Sequence, residues 1–319
     1  MTIVMTSPSC PEVSVLVVAY HSAPFIAQCI RGIAEGAQTT PYEVLLIDNG
    51  GGDTESVVAS QFPEVRIIPS EGNIGFGAGN NRLASHARAQ RLLLVNPDAI
   101  PQPGAIDRLV AFSKEHPDAA AWGGRSYSPD GTLDHANFLA LPTVRDFVVS
   151  IVDSSPMRRG GLPADTSSPG PVDVLNGGFM MVRADVWHEL AGFDEGFFLY
   201  SEEIDLFQRI RARGHAVLVD PSVAVVHDTG GGQSLSPSRL MYLITGRMHY
   251  ARKHFSPLGA LITGWALWLT AAKYVVIGSA LGRIFPARAV HYRSLSNGWG
   301  PIFRQRARWW RGYLDRPRG

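Results

Sequence analysis

Val13–Ala19 (VSVLVVA) is an unbroken β-branched apolar run that ends in Tyr20, His21, Ser22, Ala23 and Pro24. A short apolar run without polar alternation predicts a strand buried on both faces. Pro24 then opens a helical stretch to about Glu35. Glu43–Ile47 (EVLLI) predicts a second strand, closing in Asp48-Asn49-Gly50-Gly51-Gly52-Asp53. Asp53 is placed to cap a helix through Gln61. Val65–Ile68 reads as a third strand, followed by a Gly/Asn loop and a helix over about Gly77–Ala89. Leu92–Val95 is a fourth strand and stops at Asn96-Pro97-Asp98. The next helix starts near Pro103, and Ala119–Gly123 reads as a fifth strand.

Strand and helix alternate four times in this stretch, which predicts an α/β fold with a doubly wound, mostly parallel sheet and helices on both faces. Ligands of such sheets sit beyond the carboxyl ends of the strands. The polar clusters His21-Ser22, Asp48-Asn49, Asn73–Asn81 and Asn96–Asp98 all fall there.

Ser126–Pro171 is irregular, with a short helix expected near Thr143–Val152. Val172–Val182 reads as a strand interrupted by Gly177-Gly178. Helices are expected over Ala184–Leu190 and Glu202–Arg213, each stopped by a glycine. Val217–Val219 and Val223–Val226 read as strands, with His227 just after the last and Gly230-Gly231-Gly232 beyond it. Residues 1–235 are expected to form the α/β domain, in halves of about 13–125 and 126–235. Residues 236–319 are expected to form a helical appendage.

Leu258–Leu281 carries one charge, Lys273, in 24 residues. That is long enough to span a bilayer, which needs about 20 apolar residues. A buried core helix has the same composition. The rest of the sequence tips the balance. From Arg283 to Gly319 there are nine Arg and one acid, Asp315, a local charge of +8 in a chain whose net charge is +1. Arg interleaved with Trp309, Trp310 and Tyr313 suits a membrane interface. The near-neutral whole argues against a nucleic-acid partner. Two cysteines, Cys10 and Cys29, make no disulfide framework. Met1–Glu12 lacks a basic stretch followed by an apolar one, so no signal peptide is expected. The expected location is the cytoplasmic face of the membrane, peripheral or monotopic.

Several side chains are placed for chemistry. Asp98, at a strand end, suits an oxygen-liganded Mg²⁺ or Mn²⁺, though a turn Asp looks the same. Glu202, Glu203 and Asp205 crowd the first turn of a helix. Acids there complement the helix dipole, and they are also candidate bases. The preceding Gly192–Tyr200 is aromatic and Gly-hinged, suited to lining a pocket. His227 is a candidate metal ligand. Gly72–Asn81 looks like a phosphate loop opening a helix, but it is no Walker A loop, and it follows the third strand, unlike a dinucleotide fingerprint.

Seven segments occur in one order: VSVLVVAYH (13–21), LIDNGGGD (46–53), NIGFGAGNN (73–81), LLVNPD (93–98), GGFMMVR (177–183), GFDEGFFLYSEEID (192–205) and His227. Together, over about residues 13–234, they resemble the family 2 glycosyltransferases, and within them the bacterial rhamnosyltransferases of cell-wall and O-antigen assembly. The resemblance implies a GT-A fold and an inverting transfer from a nucleotide-sugar donor to a lipid-linked saccharide or glycan acceptor. It implies that Asp48, with Ala19, Tyr20 and His21, contacts the nucleoside, while Asn73, Gly75, Asn80 and Asn96 lie along the diphosphate. Asp98 and His227 match the metal ligands for Mg²⁺ or Mn²⁺. Glu203 matches the general base and Glu202 its neighbour. Gly178, Asp194, Tyr200 and Asp205 fall on the acceptor side. The donor dTDP-L-rhamnose follows from the resemblance alone, and a homodimer is compatible with it.

Three positions depart from the family pattern. Asn96 stands for the first Asp of Asp-x-Asp, which predicts weaker or water-mediated metal binding. Glu203 stands for the usual Asp, and Gly51 replaces a Ser. These departures also fit an idle sugar-nucleotide-binding subunit of a membrane glycan-assembly complex. A nucleotidyltransferase fits poorly, because the loop after the first strand holds no Lys or Arg.

Overall fold

The computed structural model describes residues 10–134, 138–153, 167–227 and 236–313. The N-terminal stretch Met1–Ser9, the glycines 230–232 and Asp315 lie outside them.

The elements run β1 (Val13–Ala19), α1 (Ala23–Gly36), β2 (Tyr42–Asp48), α2 (Asp53–Gln61), β3 (Arg66–Ile67), α3 (Phe76–Ala84), β4 (Arg91–Val95), β5 (Ala99–Pro101), α4 (Ala105–Glu115) and β6 (Ala119–Tyr127). They continue with β7 (Phe138–Leu139), α5 (Val144–Val149), β8 (Gly170–Pro171), β9 (Val174–Leu175), β10 (Phe179–Arg183), α6 (Ala184–Glu189), α7 (Glu202–Ala212) and β11 (Ala216–His227). Four helices close the chain: α8 (Pro237–His254), α9 (Pro257–Ile284), α10 (Ala289–Arg304) and α11 (Arg306–Trp309).

Nine strands form one sheet in the order β3-β2-β1-β4-β10-β6-β11-β5, with β8 paired to β11. β3, β2, β1 and β4 are parallel, as are β6 and β11, while β10 runs antiparallel between β4 and β6. The sheet is thus mixed and mostly parallel. Its two faces explain the unbroken apolar strands. Val13, Val15 and Val17 pack with Ile26, Ile30 and Leu109 from α1 and α4. Leu16 and Val18 point the other way, onto Leu83, Val186 and Leu206 from α3, α6 and α7. Both faces are covered, so polar alternation has no place in β1.

Four details differ from the sequence reading. The stretch 172–182 is not one strand. β9 leaves the main sheet to pair with β7, and only β10 enters between β4 and β6. The stretches read as two strands form one, β11, whose register slips between Val219 and Ala224. β5, pairing with the end of β11, is a strand of three residues that periodicity does not reveal. Asp53 is the first residue of α2 and not its cap; the helix start is held by Asp48, whose Oδ2 accepts from the backbone N–H groups of Thr54 (3.0 Å) and Glu55 (2.9 Å).

A third core lies under the C-terminal helices. Leu240, Ile244 and Met248 of α8, Leu267 and Ala271 of α9, Ile302 and Trp309 close around Phe147 of α5. The buried side of α9 is built of small residues. Gly264 lies under the Trp310 ring and Gly278 against the backbone of Tyr292, so both helices approach closely. The outer side of α9 carries exposed Leu258, Leu261, Ile262, Trp265, Leu269, Val276, Ile277 and Ile284 at helical spacing. By length and composition, α9 suffices to cross a membrane.

Candidate active site

The parallel strands β1, β2, β4 and β11 end on one edge of the sheet, and the polar clusters gather there. At the β1 end Ala19 is buried, and its carbonyl accepts from Asn49 N–H at 2.8 Å. Tyr20 is exposed and meets His21 edge-on at 4.4 Å between ring centroids. His21 Nδ1 lies 3.6 Å from Asp53 Oδ2. A Cβ at Gly50 would collide with His21 N, so the two loops touch only because this position is glycine. Asp48 is buried. Its Oδ1 accepts from Gly50 N–H at 2.7 Å, while its Oδ2 holds the start of α2.

The glycine loop is pinned beside them. Asn73 Oδ1 accepts from Gly75 N–H at 3.1 Å, and Asn49 Nδ2 donates to the Gly75 carbonyl at 3.1 Å. Gly75 has φ +87°, and a Cβ there would stand 2.5 Å from the Phe198 carbonyl oxygen. Both facts demand glycine. Phe76 N–H donates to that same carbonyl at 3.2 Å, which ties the loop to the segment before α7. Asn80 is buried, with its amide turned back to the Phe76 carbonyl. The diphosphate-binding expectation for Asn80 thus meets a side chain engaged within α3.

The third group is a corner of three side chains. His227 Nε2 lies 3.1 Å from Asp98 Oδ1 and 3.4 Å from Asn96 Nδ2. β11 delivers the buried imidazole, and the turn after β4 delivers the other two. Gly178 makes room: a Cβ there would sit 2.5 Å from His227 Cε1. Gly178 therefore supports the imidazole ring. A divalent ion fits this donor set. Two cis ligands at octahedral distance stand about 3 Å apart, and Mg²⁺ is held by one or two protein ligands with phosphates and water filling the rest. No group of three or more His, Cys, Asp or Glu is arranged for a metal among the described residues.

The fourth group opens α7. Tyr200 and Ser201 both have positive φ, 68° and 73°. Two consecutive left-handed non-glycine residues store strain of about 1–3 kcal/mol each. Immediately after them, Glu202 is buried, and its Oε2 has no hydrogen-bond partner among the described residues; the same holds for Ser201 Oγ. Burial, then repulsion from Glu203, pushes the Glu202 carboxyl well above the usual range. Glu203 is half-buried, and burial raises it too. Gly246 of α8 permits the turn, because a Cβ there would collide with the Tyr200 carbonyl oxygen.

Three residues expected on the acceptor side are bonded to α8. Asp205 is fully buried and bonds Arg209 Nε (2.8 Å), Lys253 Nζ (2.7 Å) and His254 Nε2 (2.7 Å). Burial acts to raise its carboxyl, but His254, Arg209 and Lys253 outweigh this and hold it at about 2. Asp194 accepts from Gly196 N–H (2.8 Å) and Lys253 (2.5 Å). Tyr200 accepts from Arg239 Nε at 2.8 Å.

Some participants escape sequence reasoning. Asn81 clamps the 193–195 loop, accepting from Phe193 N–H at 2.9 Å and donating to its carbonyl at 2.9 Å. Its paired neighbour Asn80 is the only signal. Arg239, Gly246 and Lys253 have partners far away in the chain, so no local pattern marks them.

The mixed, mostly parallel α/β sheet with flanking helices is a GT-A-like fold. Solved structures of that fold align with it. The mannosyltransferase PcManGT from Pyrobaculum calidifontis, solved with GDP-Man and Mn²⁺, gives a TM-score of 0.55 at 16% identity, over 91% of this chain and 84% of that one. GalNAc-T7 with UDP, GalNAc and Mn²⁺ gives 0.56 at 14% identity, over 84% of this chain and 51% of that one.

Residues 14–154 of the chain match Glycosyl transferase family 2. It is related to bacterial rhamnosyltransferases. An N-acetylglucosaminyl-diphospho-decaprenol L-rhamnosyltransferase of Mycobacterium tuberculosis is 26% identical over 83% of this chain and 89% of its own length. Rhamnosyltransferase WbbL of Escherichia coli is 22% identical over 67% of this chain and 83% of its own.

Proposed function

We propose that this protein is an inverting glycosyltransferase that moves L-rhamnose from dTDP-L-rhamnose to a polyprenyl-diphosphate-linked saccharide at the cytoplasmic face of the membrane. The observation that carries the transferase reading is the strained Tyr200–Ser201 turn. It presents the buried Glu202 and the half-buried Glu203 at the start of α7, next to the segment whose Phe198 carbonyl holds the 73–76 loop, and strain of this kind persists where a site over-determines it. The donor and acceptor classes rest on what the two rhamnosyltransferases are named for.

In this reading the 19–21 and 48–50 loops hold the nucleoside, and the 73–76 loop faces the diphosphate. Asp98 and His227, with Asn96 beside them, would hold Mg²⁺ or Mn²⁺. When bound, that ion neutralises charge on the departing nucleoside diphosphate. Glu203, its carboxyl raised above the usual range by burial, takes the proton from the acceptor hydroxyl. The oxygen so freed attacks the anomeric carbon opposite the leaving group, which inverts that centre. Burial and the neighbouring Glu203 push the Glu202 carboxyl well above the usual range, which disfavours a second negative charge in the site. Asp205, with Lys253 and His254, fixes α7 against α8 and so positions Glu203.

The exposed apolar side of α9 lies along the bilayer surface, with the arginines from Arg283 onward against anionic headgroups. Release of nucleoside diphosphate from a panel of sugar nucleotides tests the reading, with a lipid-linked acceptor extract and with Mg²⁺, Mn²⁺ or EDTA. Metal-dependent release from dTDP-L-rhamnose alone is expected. Release from a different donor overturns the rhamnosyl assignment, and nucleotide binding without release from any donor favours an idle subunit.

A further inference from the structure

Trp309 and Tyr313 read from the sequence as interfacial aromatics, yet both turn inward. Trp309 is fully buried, and its indole N–H donates to the Ile302 carbonyl at 2.9 Å. Tyr313 Oη lies 2.8 Å from the Leu199 carbonyl and 3.1 Å from the Tyr242 carbonyl of α8, and its one proton serves both. Burial, then the charge of Glu202, push that hydroxyl up, so it stays a donor throughout the neutral range.

The segment that brings Tyr313 there is fixed along its way. The Trp310 carbonyl accepts from Arg252 Nε at 3.1 Å. Gly312 has φ +73°, and a Cβ on it would stand 2.9 Å from His249 Cα, so glycine is what lets the segment lie on α8. The Tyr313 ring then rests beside His249, with centroids 5.9 Å apart.

What Tyr313 holds is the peptide plane in front of the left-handed pair. The Leu199 carbonyl belongs to the peptide unit that ends in Tyr200 N–H, and Tyr200 has φ +68°. The next peptide unit is bounded too, because the Tyr200 carbonyl packs against Gly246. The φ and ψ of Tyr200 relate those two planes. Holding both keeps the residue in the left-handed region that a tyrosine otherwise avoids. A strained residue persists only where its surroundings over-determine it, and a hydrogen bond is of the same order as such strain. Glu202 and Glu203 come directly after the strained pair.

We infer that Tyr313 is a positioning residue, whose hydroxyl holds the Leu199–Tyr200 peptide and through it the turn that presents Glu203. The inference rests on the sugar-transfer reading for what Glu203 does there.

The test uses the full chain as wild type, Tyr313→Phe and Gly312→Ala. Phe keeps the ring and removes only the bond, while Ala pushes the segment off His249. Amide hydrogen exchange at Asp205, whose N–H donates to the Ser201 carbonyl at 3.0 Å, reads the turn and needs no substrate. Both variants are expected to exchange there about five-fold faster or more, the effect of one lost hydrogen bond. In turnover, Tyr313→Phe is expected to lower kcat about five- to thirty-fold with the donor KM near wild type. The acid limb of its pH–rate profile should move down toward the ordinary glutamate range, as Glu203 loses the burial that raises it. Unchanged exchange at Asp205 overturns the inference. So does a Phe variant that melts lower but keeps the wild-type kcat and acid limb, which would make Tyr313 a structural residue alone. Faster exchange in both variants, with no donor turned over even by wild type, upholds the hold on the turn and counts against the sugar-transfer reading instead.

Discussion

Glu202 and Glu203 are neighbours in sequence but not in environment. Both are raised by burial, and only Glu202 is pushed further by its neighbour's charge. A raised base loses activity as pH falls through its folded pKa, so the acid limb of the rate profile is expected to have its midpoint above 4.5, the ordinary glutamate value. Glu203→Gln is expected to lower kcat by about 10²–10⁴-fold, the usual worth of a general base. Donor binding should stay unchanged, and pH–rate profiles with nucleotide titrations check both statements. Asp205 has the opposite sign. Its pKa is lowered from 3.8 to about 2, so its contribution is present above pH 4 and disappears as pH falls toward 2. Asp205→Asn is expected to cost about 3 kcal/mol at neutral pH, because it leaves Arg209 and Lys253 facing a neutral amide. Denaturant unfolding at pH 7 and near pH 2 measures this, and the difference between wild type and variant should shrink at the lower pH.

At the scale of elements, the sites follow from how few residues the chain has to turn. β4 gives way to Asn96-Pro97-Asp98 and β11 ends in His227, and pairing of β5 with β11 draws the two ends together. This much is legible in the sequence. Unbroken apolar runs announce buried strands, and polar residues clustered at their ends announce the ligand edge. The support of α7 is not legible. Asp205 and His254 are 49 residues apart, and Gly246 looks like any glycine in a helix until the Tyr200 carbonyl is seen against it. The ion pairs of Asp205 are hidden for the same cause: an acid in a first turn reads alike whether it faces substrate or a second helix. Gly246→Ala is expected to force the turn apart, costing about 1–3 kcal/mol of stability. It should lower kcat while leaving dTDP binding near wild type, a split that steady-state kinetics and calorimetry resolve.

The whole molecule has one face unlike the rest. The apolar stripe of α9 has exposed Val148 of α5 and Val152 just past that helix as neighbours. Lys273 interrupts the stripe, but its ammonium lies 4.6 Å from the centre of the Tyr274 ring, and an alkyl stem of that length keeps the charge at a surface. Arg306 lies over the rings of Trp265 and Trp310, pairing cation and aromatic as an interface requires. Replacing Trp265 and Leu269 by Glu is expected to weaken co-sedimentation with anionic phospholipid vesicles at least ten-fold. Circular dichroism should not change, because neither side chain belongs to the core around Phe147. A double variant that still sediments would place the membrane contact on another face.

The central claim is that the Asp98–His227 corner and the carboxylates of α7 form a single site for sugar transfer. The most direct measurement compares release of dTDP from dTDP-L-rhamnose by wild type, Asp98→Asn and Glu203→Gln, with lipid-linked acceptor present and with Mg²⁺ titrated. Wild type is expected to turn over. Asp98→Asn should need far more metal for half its rate, and Glu203→Gln should bind donor and metal normally yet release almost nothing. Wild-type rates from both variants, at the same metal dependence, would contradict the account.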